Sequence, residues 1–355
     1  MQNMHHSDYR ALVEPWVKAA RRHLYALPHA PAFVCYGIGN HGHWSYQAND
    51  TAFAAFATLA ADPETDLERV GMSRDELIAT ALGMARFTLG THIANGEQST
   101  DGEPWGHSWI SVLGLERMMH GLDALAEHFT ERDRERMRAM MLSEADWLLT
   151  GWPVVGGVDA RDGKNHPESN MWNGAFLHRT ALYYPDAPNA DAWREQGTLN
   201  LLNAISIPSD AESEMLYEGR MLKEWHRGAN MCESMACHHH AYLNIGYMVV
   251  TLSNLAMYHF ACRSRGAEAP EALYHHAADL WAVVKRCTFP DGRLLRIGGD
   301  TRVRYCYCQD YAIPVWLFAR DYLGDTDVEG FEKGWLAQVG TEMTHNPDGS
   351  ALGER

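Results

Sequence analysis

Three stretches of this chain carry side chains that could hold an anion or move a proton. In the first, Pro167 and Ser169 suit a helix start, and Asn170, Trp172 and Asn173 fall in its first turn. A carboxamide there can donate a hydrogen bond to a carboxylate. The helix N-terminus adds positive potential, an arrangement that suits an enolate-like anion. The plainer alternative is that Asn170 caps the helix and Trp172 packs in the core. In the second, His238, His239 and His240 precede Tyr242, Asn244 and Tyr247 at the entrance of a strongly apolar helix. If the tract is helical, His238 or His239 shares a face with Tyr242, and Tyr247 lies two turns beyond His240. A histidine titrates near neutrality and can take a proton, and a tyrosine can do so when cations lower its pKa. Three consecutive residues cannot face one point, so no metal is expected on this tract. In the third, Arg296, Arg302 and Arg304 surround the turn at Gly298, Gly299 and Asp300. If the chain is extended there, Arg302 and Arg304 point to one side, and bidentate guanidinium contacts would hold a carboxylate or sulfate. A salt-bridge network with Asp300 and Asp310 is the alternative. Cys306 and Cys308 lack partners at ligand spacing and read as buried thiols.

Earlier loops place Asn40, His41, His43 and Trp44 together, and Trp105, His107 and Trp109 together. Indoles offer an apolar face to the C–H side of a sugar ring, and imidazoles and amides bond its hydroxyl rim. Asn40, His41, Trp44, Trp105, His107, Trp172 and Tyr305 are therefore the expected substrate-binding set. Each Trp or His could equally be a packed core residue.

The elements that must position these groups are helices. Leu77, Ile78, Ala81, Leu82, Ala85 and Leu89 recur at helical spacing behind Ser73, with Asp75 and Glu76 in the first turn. Similar patterns predict helices near 8–26, 48–61, 108–128, 131–150, 171–184, 190–205, 240–264, 270–287, 311–323 and 327–340. Strand-like alternation is almost absent. Long connections at 28–47, 92–107, 151–170, 206–235 and 288–310, rich in Gly, His, Trp and Arg, read as site-building loops. The expected fold is all-α, with about five to six antiparallel helical hairpins closing into an (α/α) toroid or incomplete barrel. One domain is expected over 1–345, followed by a polar tail at 346–355.

Composition narrows the function classes. A formal charge of −16 argues against broad binding to nucleic acid or anionic membranes, so an anionic substrate must meet a local basic pocket. The 46% apolar content, with 12 Trp and 15 Tyr, supplies a core for a folded chain of 355 residues. Seven scattered Cys with no CxxC pair fit reduced thiols. The first residues lack an apolar h-region, so a cytoplasmic location is expected if residue 1 is the natural start, and export if it is not. No nucleotide or nicotinamide motif is present, and no cofactor is expected.

An Asn-x-Trp helix start, a His with a Tyr eight or nine residues later, and an Arg-x-Arg loop resemble the order of motifs in polysaccharide lyases. The chain is similar over about 30–325 to the helical domain of the hyaluronate, chondroitin and xanthan lyase group and of heparinase II/III-like proteins. The resemblance implies a toroid with a groove across one end and an acidic oligosaccharide or polysaccharide as substrate. It implies cleavage of a uronate glycan by β-elimination. Asn170 or Asn173 would neutralise the carboxylate, His238 or His239 with Tyr247 or Tyr242 would move protons, and Arg302 with Arg304 would hold the acid sugar. Such lyases normally continue into β-sandwich domains, which the helical pattern here does not show, so either a C-terminal portion is missing or the family member is minimal. Two other readings remain. One is a glycoside hydrolase on the same scaffold, with Asp101, Glu168, Asp210 and Asp300 as candidate carboxylates. The other is a carbohydrate-binding toroid without catalysis.

Overall fold

A computed structural model describes residues 6–158, 165–297 and 305–346. The described residues contain thirteen α-helices and three two-stranded antiparallel hairpins, in keeping with a mostly helical chain. They divide into two compact units, Met1–Trp147 with Ala337–Arg355, and Leu148–Leu336.

The first unit holds α1 (His6–Ala20), β1 (Leu24–Leu27), β2 (Ala30–Tyr36), α2 (His43–Ala61), α3 (Leu67–Val70), α4 (Arg74–Thr91), α5 (Ser111–Ala124) and most of α6 (Glu131–Gly151). The helix start behind Ser73 is a capping box: the Ser73 side chain accepts from the Glu76 amide, and the Glu76 carboxylate accepts from Ser73 N at 2.8 Å. Helix α2 packs against α4 and α5 around Phe53, Phe56, Leu77, Met84 and Phe87, all buried. Gly121 permits the α2–α5 approach, because a Cβ there would lie 2.8 Å from the Phe53 ring and 3.0 Å from the Ala57 Cβ. The helix expected over 8–26 ends at Ala20, and the chain enters a strand at Leu24. Pro28 and Pro31 disfavour helix there, and a hairpin buries Leu27, Phe33 and Cys35 instead.

The second unit holds α7 (Pro167–Tyr183), α8 (Ala190–Ala204), β3 (Leu216–Tyr217), β4 (Arg220–Met221), α9 (Leu222–Trp225), β5 (His238–His239), β6 (Tyr242–Leu243), α10 (Ile245–Ser264), α11 (Ala277–Arg286), α12 (Ala312–Leu323) and the first half of α13 (Val328–His345). Helices α7 and α8 form a tight pair at Gly174 and Gly197, where a Cβ at Gly174 would lie 2.9 Å from the Gly197 carbonyl oxygen. Helix α10 packs on α7 and α12 and is the core of the unit. It is long and apolar enough to cross a membrane by composition, yet 83% of that window is buried inside the unit. An all-round apolar helix is what a central position demands.

Candidate functional site

The second unit brings the start of α7 together with the β5–β6 hairpin and the start of α10. Asn165, fully buried just before α7, is the link. Its Nδ2 donates to the His238 carbonyl oxygen at 2.8 Å, and its Oδ1 lies 2.8 Å from His239 Nδ1. An amide oxygen can only accept, so His239 carries its proton on Nδ1 and leaves the Nε2 lone pair open. His240 and Ala241 form the two-residue hairpin turn, with φ of 54° and 66°. Positive φ at both central positions matches the primed turns of hairpins, usually filled by Asn and Gly. A histidine held there is the kind of local strain that collects at functional sites.

The turn delivers His240 to Tyr247. His240 Nε2 lies 2.9 Å from the Tyr247 hydroxyl, and the His239 ring stacks on the Tyr247 ring with centroids 3.8 Å apart. Tyr247 sits in the first turn of α10, where the Asn244 side chain accepts from its backbone N–H at 3.1 Å. The Tyr307 ring lies parallel to Tyr247 at 5.8 Å. Gly246 is required below it, because a Cβ there would collide with the Tyr307 carbonyl oxygen. His239 is buried, His238, Tyr242 and Tyr247 are half-buried, and His240 is exposed, so the cluster is open to solvent on the His240 side.

Glu168 completes the cluster in the first turn of α7. It is buried, its Oε1 accepts from the Ser169 hydroxyl at 3.1 Å, and its Oε2 has no hydrogen-bond partner. Burial lifts its pKa to about 7. Burial also pushes the Tyr247 phenol far above its ordinary value, and the nearby Glu168 charge adds to the effect. His239 moves the other way, down to about 3, through burial first and the neighbouring His240, His166 and His238 second. At neutral pH the cluster therefore holds a phenol beside a neutral imidazole, a proton donor next to a proton acceptor. The sequence led to a Tyr whose pKa is lowered by cations. Burial and the neighbouring acidic groups, Glu168 first among them, shift it upward instead.

Several expected residues lie elsewhere. The helix-face argument for His238, His239 and Tyr242 fails, because these residues form a β-hairpin and α10 begins only at Ile245. His239 and Tyr242 are instead cross-strand partners. Asn170 and Asn173 are sealed in the core of the second unit, at 0% and 1% exposure, and Asn170 Nδ2 donates to the Asn203 carbonyl oxygen at 3.2 Å. They cannot meet a substrate carboxylate in this conformation. Two of the tryptophans expected as sugar platforms, Trp105 and Trp172, are core. Trp172 is 2% exposed, and Trp105 stacks on Tyr46 at 4.5 Å while its Nε1–H donates to the Thr88 carbonyl oxygen. Each indole gains more by filling the helical interior than a surface platform would allow. Tyr305 leans edge-on against Trp335 at 5.1 Å. Arg302, Arg304 and Asp300 lie outside the described residues.

The remaining loop residues belong to the first unit. Trp44 is the most exposed tryptophan at 60%, edge-on to His43, which in turn meets the exposed Trp109 at 5.9 Å. His41 Nδ1 lies 2.6 Å from Asp101, and Asn40 folds back to accept from Gly42 N at 3.2 Å. His107 stacks on Trp147 and bonds Ser143. Its amide donates to Glu144, which is fully buried between His92 and Ser111.

Asn165, Glu168 and Tyr307 act in the cluster beyond what the motifs singled out for it. Asn165 and His166 precede Pro167, and a polar pair before a helix-starting proline is the signal that marks them. Comparison with protein-family models, with curated proteins and with solved structures finds no match for this chain.

Proposed function

We propose that the protein is a lyase that cleaves a uronate-containing glycan by β-elimination, on helical hairpins arranged as an (α/α) toroid. The observation that carries this reading is the His239–Tyr247–His240 arrangement, a phenol bonded to one imidazole and stacked on another. The uronate C5 proton is barely acidic until the adjacent carboxylate charge is offset. Glu168 and Tyr247 lie in the first turns of α7 and α10, two helices that pack on each other. Their positive ends favour an anion there. Arg302 and Arg304 are proposed to hold the acid sugar, on their sequence pattern alone.

In the proposed step, an imidazole of the pair takes the C5 proton and electrons move to the carboxylate as an enolate. Their return forms the C4–C5 double bond as the C4–O bond breaks, and Tyr247 gives its proton to the departing oxygen. The proton taken from C5 then passes through His240, bonded to the Tyr247 oxygen, and restores the phenol, which leaves both imidazoles neutral. Within the first unit, taken by itself, exposed Trp44 with Trp109 offers an aromatic surface that suits a sugar ring. A panel of uronate glycans read by ultraviolet absorbance tests the reading, because elimination leaves an absorbing unsaturated uronate. New reducing ends without absorbance would favour hydrolysis. Glu168, a carboxyl tuned to about 7 as a general acid would need, supports that second reading.

A further inference from the structure

We propose that Asp210, His275 and His276 form a binding site for a zinc-class divalent cation in the second unit. His275 Nε2 lies 3.1 Å from Asp210 Oδ2, and His276 Nε2 lies 3.0 Å from Asp210 Oδ1. All three ligand atoms fall within 4.8 Å of one another. Tetrahedral zinc with bonds of about 2.0–2.1 Å needs ligand atoms roughly 3.3 Å apart, so a small outward movement of these side chains admits the ion. Two imidazoles and one carboxylate form a donor set that suits zinc, cobalt or nickel over calcium or magnesium, which prefer all-oxygen sites.

The second shell is what separates this cluster from an ordinary ion pair. A histidine bound to metal through one nitrogen donates its other N–H to an outer acceptor, which fixes the tautomer. Both histidines have that acceptor. The Tyr217 hydroxyl lies 3.0 Å from His275 Nδ1, and Asp279 Oδ2 lies 3.1 Å from His276 Nδ1. His276 faces two carboxylates, Asp210 through Nε2 and Asp279 through Nδ1, with its ring 4.0 Å from that of His275. A dication aimed at by both Nε2 atoms satisfies every nitrogen with neutral rings. Asp210 and His275 are nearly enclosed, at 5% and 3% side-chain exposure, while His276 keeps 21%, which leaves a fourth position for water.

The ligands come from chain segments far apart in sequence. Asp210 lies in the short 3-10 turn Pro208–Glu212, Tyr217 in β3, and His275 and His276 immediately before α11. His276 is held at a φ of 52°, a conformation that needs support from its surroundings. An ion here would fasten the long connection after α8 to the start of α11, and it stands apart from the proposed lyase reading.

The test is titration of the chelator-treated full-length chain with Co²⁺, read by visible d–d absorption, followed by displacement with Zn²⁺. One equivalent is expected to bind. Asp210→Asn and His276→Gln should each weaken binding at least tenfold, and Asp279→Asn by about 10–100-fold, the usual weight of an outer-shell partner. Far-UV circular dichroism checks that each variant is folded. Absence of stoichiometric binding, or equal affinity in the folded variants, would overturn the site. If the variants do not fold, unfolding of the native chain decides: a midpoint raised by Zn²⁺ and lowered again by chelator supports the site, and an unchanged midpoint refutes it.

Discussion

Glu168→Gln should stabilise the protein at alkaline pH and leave it unchanged in acid. Glu168 is buried with an unpartnered Oε2, and its pKa is raised from 4.5 to about 7. Below pH 4.5 the carboxyl is protonated in both folded and unfolded chains, so its burial has little electrostatic cost. Between 4.5 and 7 the unfolded chain ionises and the folded chain does not, and stability falls with rising pH. At about 1.4 kcal/mol per unit, the loss reaches on the order of 3 kcal/mol above about pH 7. Glutamine has nearly the shape of the protonated acid and removes that loss. Denaturant unfolding of both proteins at several pH values between about 4 and 8 measures the difference, and other titrating groups cancel in the comparison. A variant equally or less stable at about pH 8 would show that the native carboxylate is ionised and compensated inside the fold, and the electrostatic account of the cluster would fail with it.

Three further outcomes concern aromatic and basic residues. Trp105→Ala should cost about 3–5 kcal/mol of unfolding free energy, as loss of a core indole does, and should not act selectively on sugar affinity. Trp44→Ala, at an exposed position, should change stability by less than about 0.5 kcal/mol while weakening oligosaccharide binding in a calorimetric titration. Arg302→Ala should weaken binding of acidic oligosaccharides more than neutral ones, and equal loss on both would mark a structural residue.

The helices were legible because their apolar positions repeat at helical spacing and their starts are marked. Ser73 with Glu76 announces α4, and Pro167 announces α7, each by local chemistry. What escaped depends on tertiary competition. The strand at Leu24 was hidden because Leu24–Leu27 also fits the end of a helix, and Pro28 and Pro31 with the packing of Phe33 and Cys35 select the hairpin. The meeting of His239, His240 and Tyr247 was expected in composition but not in geometry. It depends on positive φ at His240 and Ala241, which no residue type there advertises. Burial of Trp105 and Trp172 was one of two readings that the residues left open, since an indole suits a sugar platform and a core alike. Asp210 is 65 and 66 residues from His275 and His276 in sequence, so no local spacing connects them.

The central claim is that Tyr247 transfers a proton in an elimination reaction. Tyr247→Phe removes one oxygen and keeps the ring stacked on His239, so packing should persist while proton transfer fails. With a uronate glycan that the native protein converts to an absorbing unsaturated product, the variant's rate should fall by about 10²–10⁴ with KM little changed. Full activity in Tyr247→Phe, or a native protein that yields no unsaturated product from any uronate glycan, would contradict the account.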